Sequence, residues 1–319
     1  MTSPTRILLQ TTITATENDW TIDRFSLLRK VLEAQMSKNG MPLYDVTARN
    51  RLGFQSDPVL STLDSSEFDE LWLFAVDSGE GLSARDCEGI TRFWQRGGGL
   101  LTTRDHQDLG ISVANLGGVG DAHFFHSVNR ERDSSRHVRD DAATKSISWP
   151  NYHSGRNGDL QSISVVEPLH ELLRNPTSAS GVIEYFPAHP HEGAVDVPTG
   201  GRKARVIAMG RSLTTGRAFN LAVAFERNLD ERGNHCGRAV AESSFHHVAD
   251  YNWDVKSGCP SFVEEVPGDG VAKISTHLDD IRAYVRNLAA WLNPRHVGDT
   301  ETAGSRPVEP WFGTKAERQ

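Results

Sequence analysis

Three polar clusters along the 319-residue chain hold residue types that do chemistry: Asp77 with Glu80, Thr103-Arg104-Asp105-His106, and His246-His247 followed by Asp250 and Trp253. Imidazoles and carboxylates gathered in one place move protons near neutral pH. The same groups hold a divalent metal such as zinc. On this reading His106 and one of His246 or His247 are the acid/base or metal-binding groups. Asp77, Glu80 and Asp105 orient them, and Arg104 holds an anionic or carbonyl oxygen of the substrate. Thr103, His126, Asp250 and Trp253 are the candidate substrate contacts. Alternation along a strand sends one of His246 and His247 inward and the other outward, so at most one is expected to act. No HExxH motif is present, and the sequence by itself requires no cofactor.

These clusters matter only if the fold brings them together. Arg6 to Thr11 reads as a first strand, followed by a helix in which Ile22, Phe25, Leu28 and Leu32 recur at helical spacing. Leu43 to Thr47 is a second strand. Phe68 to Val76 is a third, and its continuous apolar run Leu71 to Val76 is the pattern of a strand covered on both faces. Ser83 caps a helix over Ala84 to Gln95, Gly97-Gly98-Gly99 stops it, and Gly99 to Thr103 is the next strand. This alternation predicts a flavodoxin-like, doubly wound, mostly parallel α/β sheet with helices on both faces. Ligands of such sheets bind beyond the carboxyl ends of the strands, where Asp77 to Gly81 and Arg104 to Gly110 fall.

The second half reads as strands over Gly181 to Phe186, Ala204 to Met209, Ala218 to Phe225 and Arg238 to Ser244, then an amphipathic helix over Ile274 to Leu292. Residues 121–160 are polar and His-rich and read as a loop-like insertion. The expected organisation is one domain over residues 1–294 and a poorly packed tail over 295–319, in which Trp311-Phe312 could dock.

At this point the order of residues meets a known pattern. Thr102-Thr103-Arg104-Asp105-His106-Gln107 resembles the nucleophile turn of class I glutamine amidotransferases, usually Ile-Cys-Arg-Gly-His-Gln. Gly237 to His247 looks like the strand that delivers the catalytic histidine there. Arg96-Gly97-Gly98-Gly99-Leu100, the His-bearing turn and the final Trp291-Leu292-Asn293-Pro294 are most similar to the trehalose-utilisation (ThuA-like) branch. The resemblance spans roughly residues 5 to 110 and 200 to 294. It implies the same fold, a His-bearing site and a link to sugar-like substrates, and it lends weight to a metal.

The departure from that pattern governs the mechanism. Thr103 stands where the nucleophilic cysteine belongs, and Asp105 where the sharp turn has glycine. A thiolate is required for the acyl-enzyme, so glutamine hydrolysis is not expected. A threonine nucleophile would need a histidine beside a β-branched residue on a strained turn.

Other features read more simply. His123 and His126 flank Phe124-Phe125 and are expected to pack beside them. His189-Pro190-His191-Glu192 resembles a metal-friendly cluster but reads as an exposed, Pro-rich loop. Asp250-Asn252-Asp254 lacks the glycine and terminal glutamate of a calcium loop. The net charge of −8 and the interleaved acids of Arg130 to Arg139 argue against a nucleic-acid partner. No apolar run is long enough for a membrane span or a signal peptide, and three unpaired cysteines suit a reducing compartment, so a cytoplasmic protein is expected. A homodimer is compatible with this reading. The expected function is hydrolysis of a small polar, sugar-like or amide-containing metabolite by His/carboxylate or metal-assisted chemistry. The alternative is a non-catalytic binding or scaffold protein that kept the fold.

Overall fold

A computed structural model describes residues 3–15, 20–53, 55–199, 203–229 and 235–295. The expected tail, with Trp311-Phe312, lies outside the described residues. The main sheet contains β1 (Thr5–Thr11), β2 (Tyr44–Arg49), β3 (Glu70–Phe74), β4 (Gly99–Thr103), β5 (Ser164–Val165), β6 (Ala204–Arg211), β7 (Ala218–Phe225) and β8 (Ala239–Glu242). Its order is β2-β1-β3-β4-β8-β7-β6-β5. The first five are parallel to one another, and the last three continue the sheet antiparallel. This is the flavodoxin-like doubly wound arrangement with an antiparallel extension.

Helices cover both faces. α1 (Ser26–Glu33) and α4 (Leu278–Leu292) pack on one side with Leu28, Leu32, Ile281, Val285 and Leu288 inward. α2 (Ala84–Gln95) covers the other with Cys87, Ile90, Phe93 and Trp94. That double cover explains why every residue of β3 and β4 is buried. Ser83 caps α2 as its sequence position suggests: its hydroxyl accepts from Asp86 N–H, and the Asp86 carboxylate accepts back from Ser83 N–H. Gly97 then takes φ +99°, which turns the chain from α2 into β4. The helix expected from Ile274 starts only at Leu278, after two short turns.

The middle of the chain departs furthest from its sequence reading. Residues 126–130 and 132–135 are exposed, but Asp140, Asp141, Trp149, Asn151, Tyr152, Ser154 and Asn157 are all buried. They pack against the turn after the short strand Tyr185–Pro187, which pairs with Leu160–Ser162. Tyr152 and Glu192 exchange backbone hydrogen bonds across this contact. No helix among the described residues is long and apolar enough to cross a membrane.

Candidate functional site

β4 and β8 are parallel neighbours with Thr103 opposite Glu242, so the residues following each strand emerge side by side. Asp105 and His106 follow β4. His246 and His247 follow β8 in a single turn over Phe245–Val248, started by Ser244, whose hydroxyl accepts from His246 N–H. Between them lies a third segment, Ala188 to Gly193. Gly193 N–H donates to Ser243 carbonyl, clipping the segment to the end of β8. Glycine is required there: a Cβ would stand 2.6 Å from the Asp105 carbonyl oxygen and 2.7 Å from that of Ser243.

Asp105, His189 and His246 meet at this point, all buried, with one potential ligand atom from each within 4.8 Å of the others. His189 Nε2 lies 3.0 Å from Asp105 Oδ1, yet the two atoms are not aligned as a hydrogen bond and neither has another partner. His246 Nε2 lies 3.6 Å from Asp105 Oδ2, and His106 Nδ1 3.1 Å from the same oxygen.

The far sides of the two buried rings are fixed by a pair of amides. His189 Nδ1–H donates to Asn157 Oδ1 at 3.0 Å, and His246 Nδ1–H donates to Asn252 Oδ1 at 3.1 Å. The Asn252 amide is itself oriented, because its nitrogen donates to the Ala188 carbonyl and to Asn157 Oδ1. With Nδ1 carrying the proton, each neutral imidazole turns an Nε2 lone pair toward the carboxylate. Such an arrangement needs a positive charge between the lone pairs and the oxygens. Burial and the neighbouring His246 hold the His189 pKa well below its usual value, which disfavours a proton as that charge. Burial would raise the Asp105 carboxyl, but His189, His106 and His246 hold it well below the usual carboxylate range. The donor set, two imidazoles and one carboxylate backed by second hydrogen bonds, could coordinate a divalent metal.

His247 takes the opposite course. Its Nε2 lies 3.2 Å from Glu192 Oε1 and its Nδ1 3.5 Å from Glu242 Oε2, all three residues being fully or almost fully buried. Burial works against its charge, but the two carboxylates win and raise its pKa to about 10. Tyr284 donates to Glu242, while Ser243, Ser154 and Gln161 donate to Glu192. His247 is thus the centre of a closed ionic network that ties the 192 segment to β8.

The other residues singled out in the sequence are held elsewhere. Asp77 accepts from the Ser112 hydroxyl and backbone N–H, fixing its own loop. Glu80 is exposed. Arg104 is fully buried, its guanidinium donating to the Phe124 and Gln107 carbonyls and stacking 4.0 Å over Phe125. Thr103 donates to the Leu73 carbonyl within the sheet. His126 donates to the Trp149 carbonyl at the surface. Asp250 accepts from Ser26 and Leu27 at the start of α1. Trp253, in α3 (Asp250–Trp253), donates to the His247 carbonyl.

His189, Asn157 and Asn252 were not chosen from sequence. The His189-Pro190-His191-Glu192 cluster stands out in the sequence, but its proline and polar neighbours suggest an exposed loop. Instead His189 is 3%, His191 8% and Glu192 0% exposed, because residues 121–160 fold over them. His191 sits beside His106 and His189, bonded through Nδ1 to Asn151 and through Nε2 to Glu265.

No protein-family model and no curated protein matches the chain. Among solved structures it is similar to a cytoplasmic protein from Salmonella typhimurium LT2, at 10% identity and TM-score 0.45 over 90% of this chain and 99% of the other. It is similar to the glutaminase domain of Trypanosoma brucei CTPS with bound acivicin, at 13% identity and TM-score 0.43 over 89% and 92%. A ThuA-like protein from Parabacteroides merdae gives 12% identity and TM-score 0.38 over 84% and 96%. At these values the likenesses carry no argument about chemistry. What they amount to is a remote structural similarity to amidotransferase-fold and ThuA-like proteins, with no single branch distinguished.

Proposed function

We propose that the protein is a metal-assisted hydrolase of a small polar metabolite, with Asp105, His189 and His246 as the ligands of one divalent ion. The observation that carries this reading is the pair of buried imidazoles whose Nδ1–H groups are committed to Asn157 and Asn252, leaving Nε2 directed at Asp105. The unpartnered His189 Nε2 and Asp105 Oδ1 fit a cation.

An ion held there supplies Lewis-acid polarisation of a substrate oxygen and a more acidic water. His106 stands at the open side, its side chain 26% exposed. Its Nδ1–H donates to Asp105, so Nε2 carries the lone pair that takes a proton from water and returns it to the leaving group. Asp105 therefore has two tasks, one oxygen facing His189 and the other orienting His106. Burial of the Asp105, His189 and His246 side chains keeps bulk water from competing for the ligand atoms.

The test is turnover of a panel of esters, amides and phosphoesters by protein stripped with chelator and then restored with zinc, manganese or iron(II). Hydrolysis is expected only after metal is restored. His106→Gln is expected to keep the metal and lose turnover. Turnover that survives chelation undiminished would overturn the proposal.

A further inference from the structure

Beside the His106 loop lies a cleft of about 500 Å³ whose lining includes His126, Arg130, His137, Arg139, Ser148 and Trp149. We propose that this cleft binds a small organic oxyanion, a phosphate or carboxylate carried on an apolar or ring-shaped body, as the recognition end of the substrate. The word substrate rests on the hydrolase reading above; the binding of the oxyanion does not.

Charge is the first support. The cleft is lined by two arginines and two histidines and by no aspartate or glutamate, in a chain whose net charge is −8. The second is the supply of donors. Arg130 has no hydrogen-bond or ion-pair partner among the described residues. Arg139 spends only Nη1, on the Lys145 and Thr144 carbonyls, leaving Nε and Nη2 for a ligand. Paired guanidinium donors are the usual means of holding phosphate and carboxylate. The third is shape. Val138, 45% exposed, and Ile147 give the same cleft an apolar wall, and its volume is that of a small-molecule site.

Position links the cleft to the proposed centre. Gln107, next to His106 in the chain, accepts from His126 N–H through its carbonyl and from Ser148 N–H through Oε1. Its own N–H donates to the Pro150 carbonyl. Both walls of the cleft are therefore bonded to the residue adjoining His106. Gln107 also holds φ +46°, a left-handed conformation that costs a non-glycine residue energy and marks a loop fixed by its surroundings.

The experiment is calorimetric titration with phenyl phosphate, benzoate and neutral benzyl alcohol. It uses the full-length protein and, separately, His189→Ala, in which the metal centre is disabled. Phenyl phosphate or benzoate is expected to bind saturably to both proteins, and the tighter of the two identifies the oxyanion. Arg130→Gln/Arg139→Gln is expected to weaken that binding by roughly tenfold or more. Val138→Glu, an exposed change that adds a repelling charge, is expected to do the same, and Arg132→Gln outside the cleft is expected to leave binding unchanged. Benzyl alcohol binding as tightly as the anions, or full-strength anion binding to both cleft variants, overturns the proposal. Because His189→Ala carries the same titration, loss of the metal centre and loss of the anion site are read independently.

Discussion

The rings of His189 and His246 stack with centroids 3.4 Å apart and planes 13° from parallel. They arrive from different parts of the chain, and what holds them in register is the hydrogen-bonded amide pair Asn157 and Asn252 behind them. Asn252→Ala removes the acceptor for His246 and one donor to Asn157. Outer-shell losses of this kind typically weaken a metal by about 10–100-fold, and that range is expected for zinc here, measured by chelator competition. The same change is expected to cost about 1–3 kcal/mol in stability, since buried partners are left unpaired. Unaltered zinc affinity in a folded Asn252→Ala protein would show that the amides do not set the rings.

Gly193 makes a separate prediction. Adding a methyl group there drives it into the carbonyl oxygens of Asp105 and Ser243, so the segment carrying His189 must shift relative to the ends of β4 and β8. Gly193→Ala is expected to lose metal binding although it changes no ligand. The check is metal content of the folded variant alongside its melting temperature.

The Glu192–His247–Glu242 network governs alkaline stability. The folded pKa of His247 is raised to about 10, whereas an unfolded histidine titrates near about 6.5. Its stabilisation is therefore complete below about pH 6.5 and is lost as pH rises through about 10. Thermal melts from pH 6 to 10, on a scale of about one pH unit per step, should show a falling midpoint. Glu242→Gln removes one of the two carboxylates that raise His247, so the fall should be smaller and should level off at lower pH.

Asp250 allows stability to be separated from the site. Its carboxylate accepts three hydrogen bonds at the start of α1, from Ser26 N–H, Ser26 hydroxyl and Leu27 N–H. Asp250→Ala is expected to destabilise by about 1–2 kcal/mol, the scale of a lost helix cap. Metal content should be unchanged, which denaturant unfolding and elemental analysis can establish together.

Much of the framework was legible from local chemistry. The unbroken run Leu71 to Val76 announced a strand covered on both faces, and Ser83 and Gly97 marked the limits of α2 through a cap and a left-handed turn. The parallel order then placed Asp105 and His246 at neighbouring strand ends. His189 was not legible, because its burial depends on residues 121–160 closing over it, and no periodicity in a polar stretch reports that. For the same reason sequence left His246 and His247 undivided. Both are buried, and only the partners contributed from distant segments, Asn252 on one side and Glu192 on the other, distinguish them. Arg104 illustrates the converse: a cation at a strand end looks available for substrate, yet local carbonyls consume it.

The most direct measurement is elemental analysis of the protein purified without added metal, beside His189→Ala and His246→Ala. About one zinc, iron or manganese ion per chain is expected in the wild type, falling to background in both variants while their folds persist. A wild-type protein that neither carries such an ion nor takes one up at stoichiometric concentration would contradict the Asp105–His189–His246 centre.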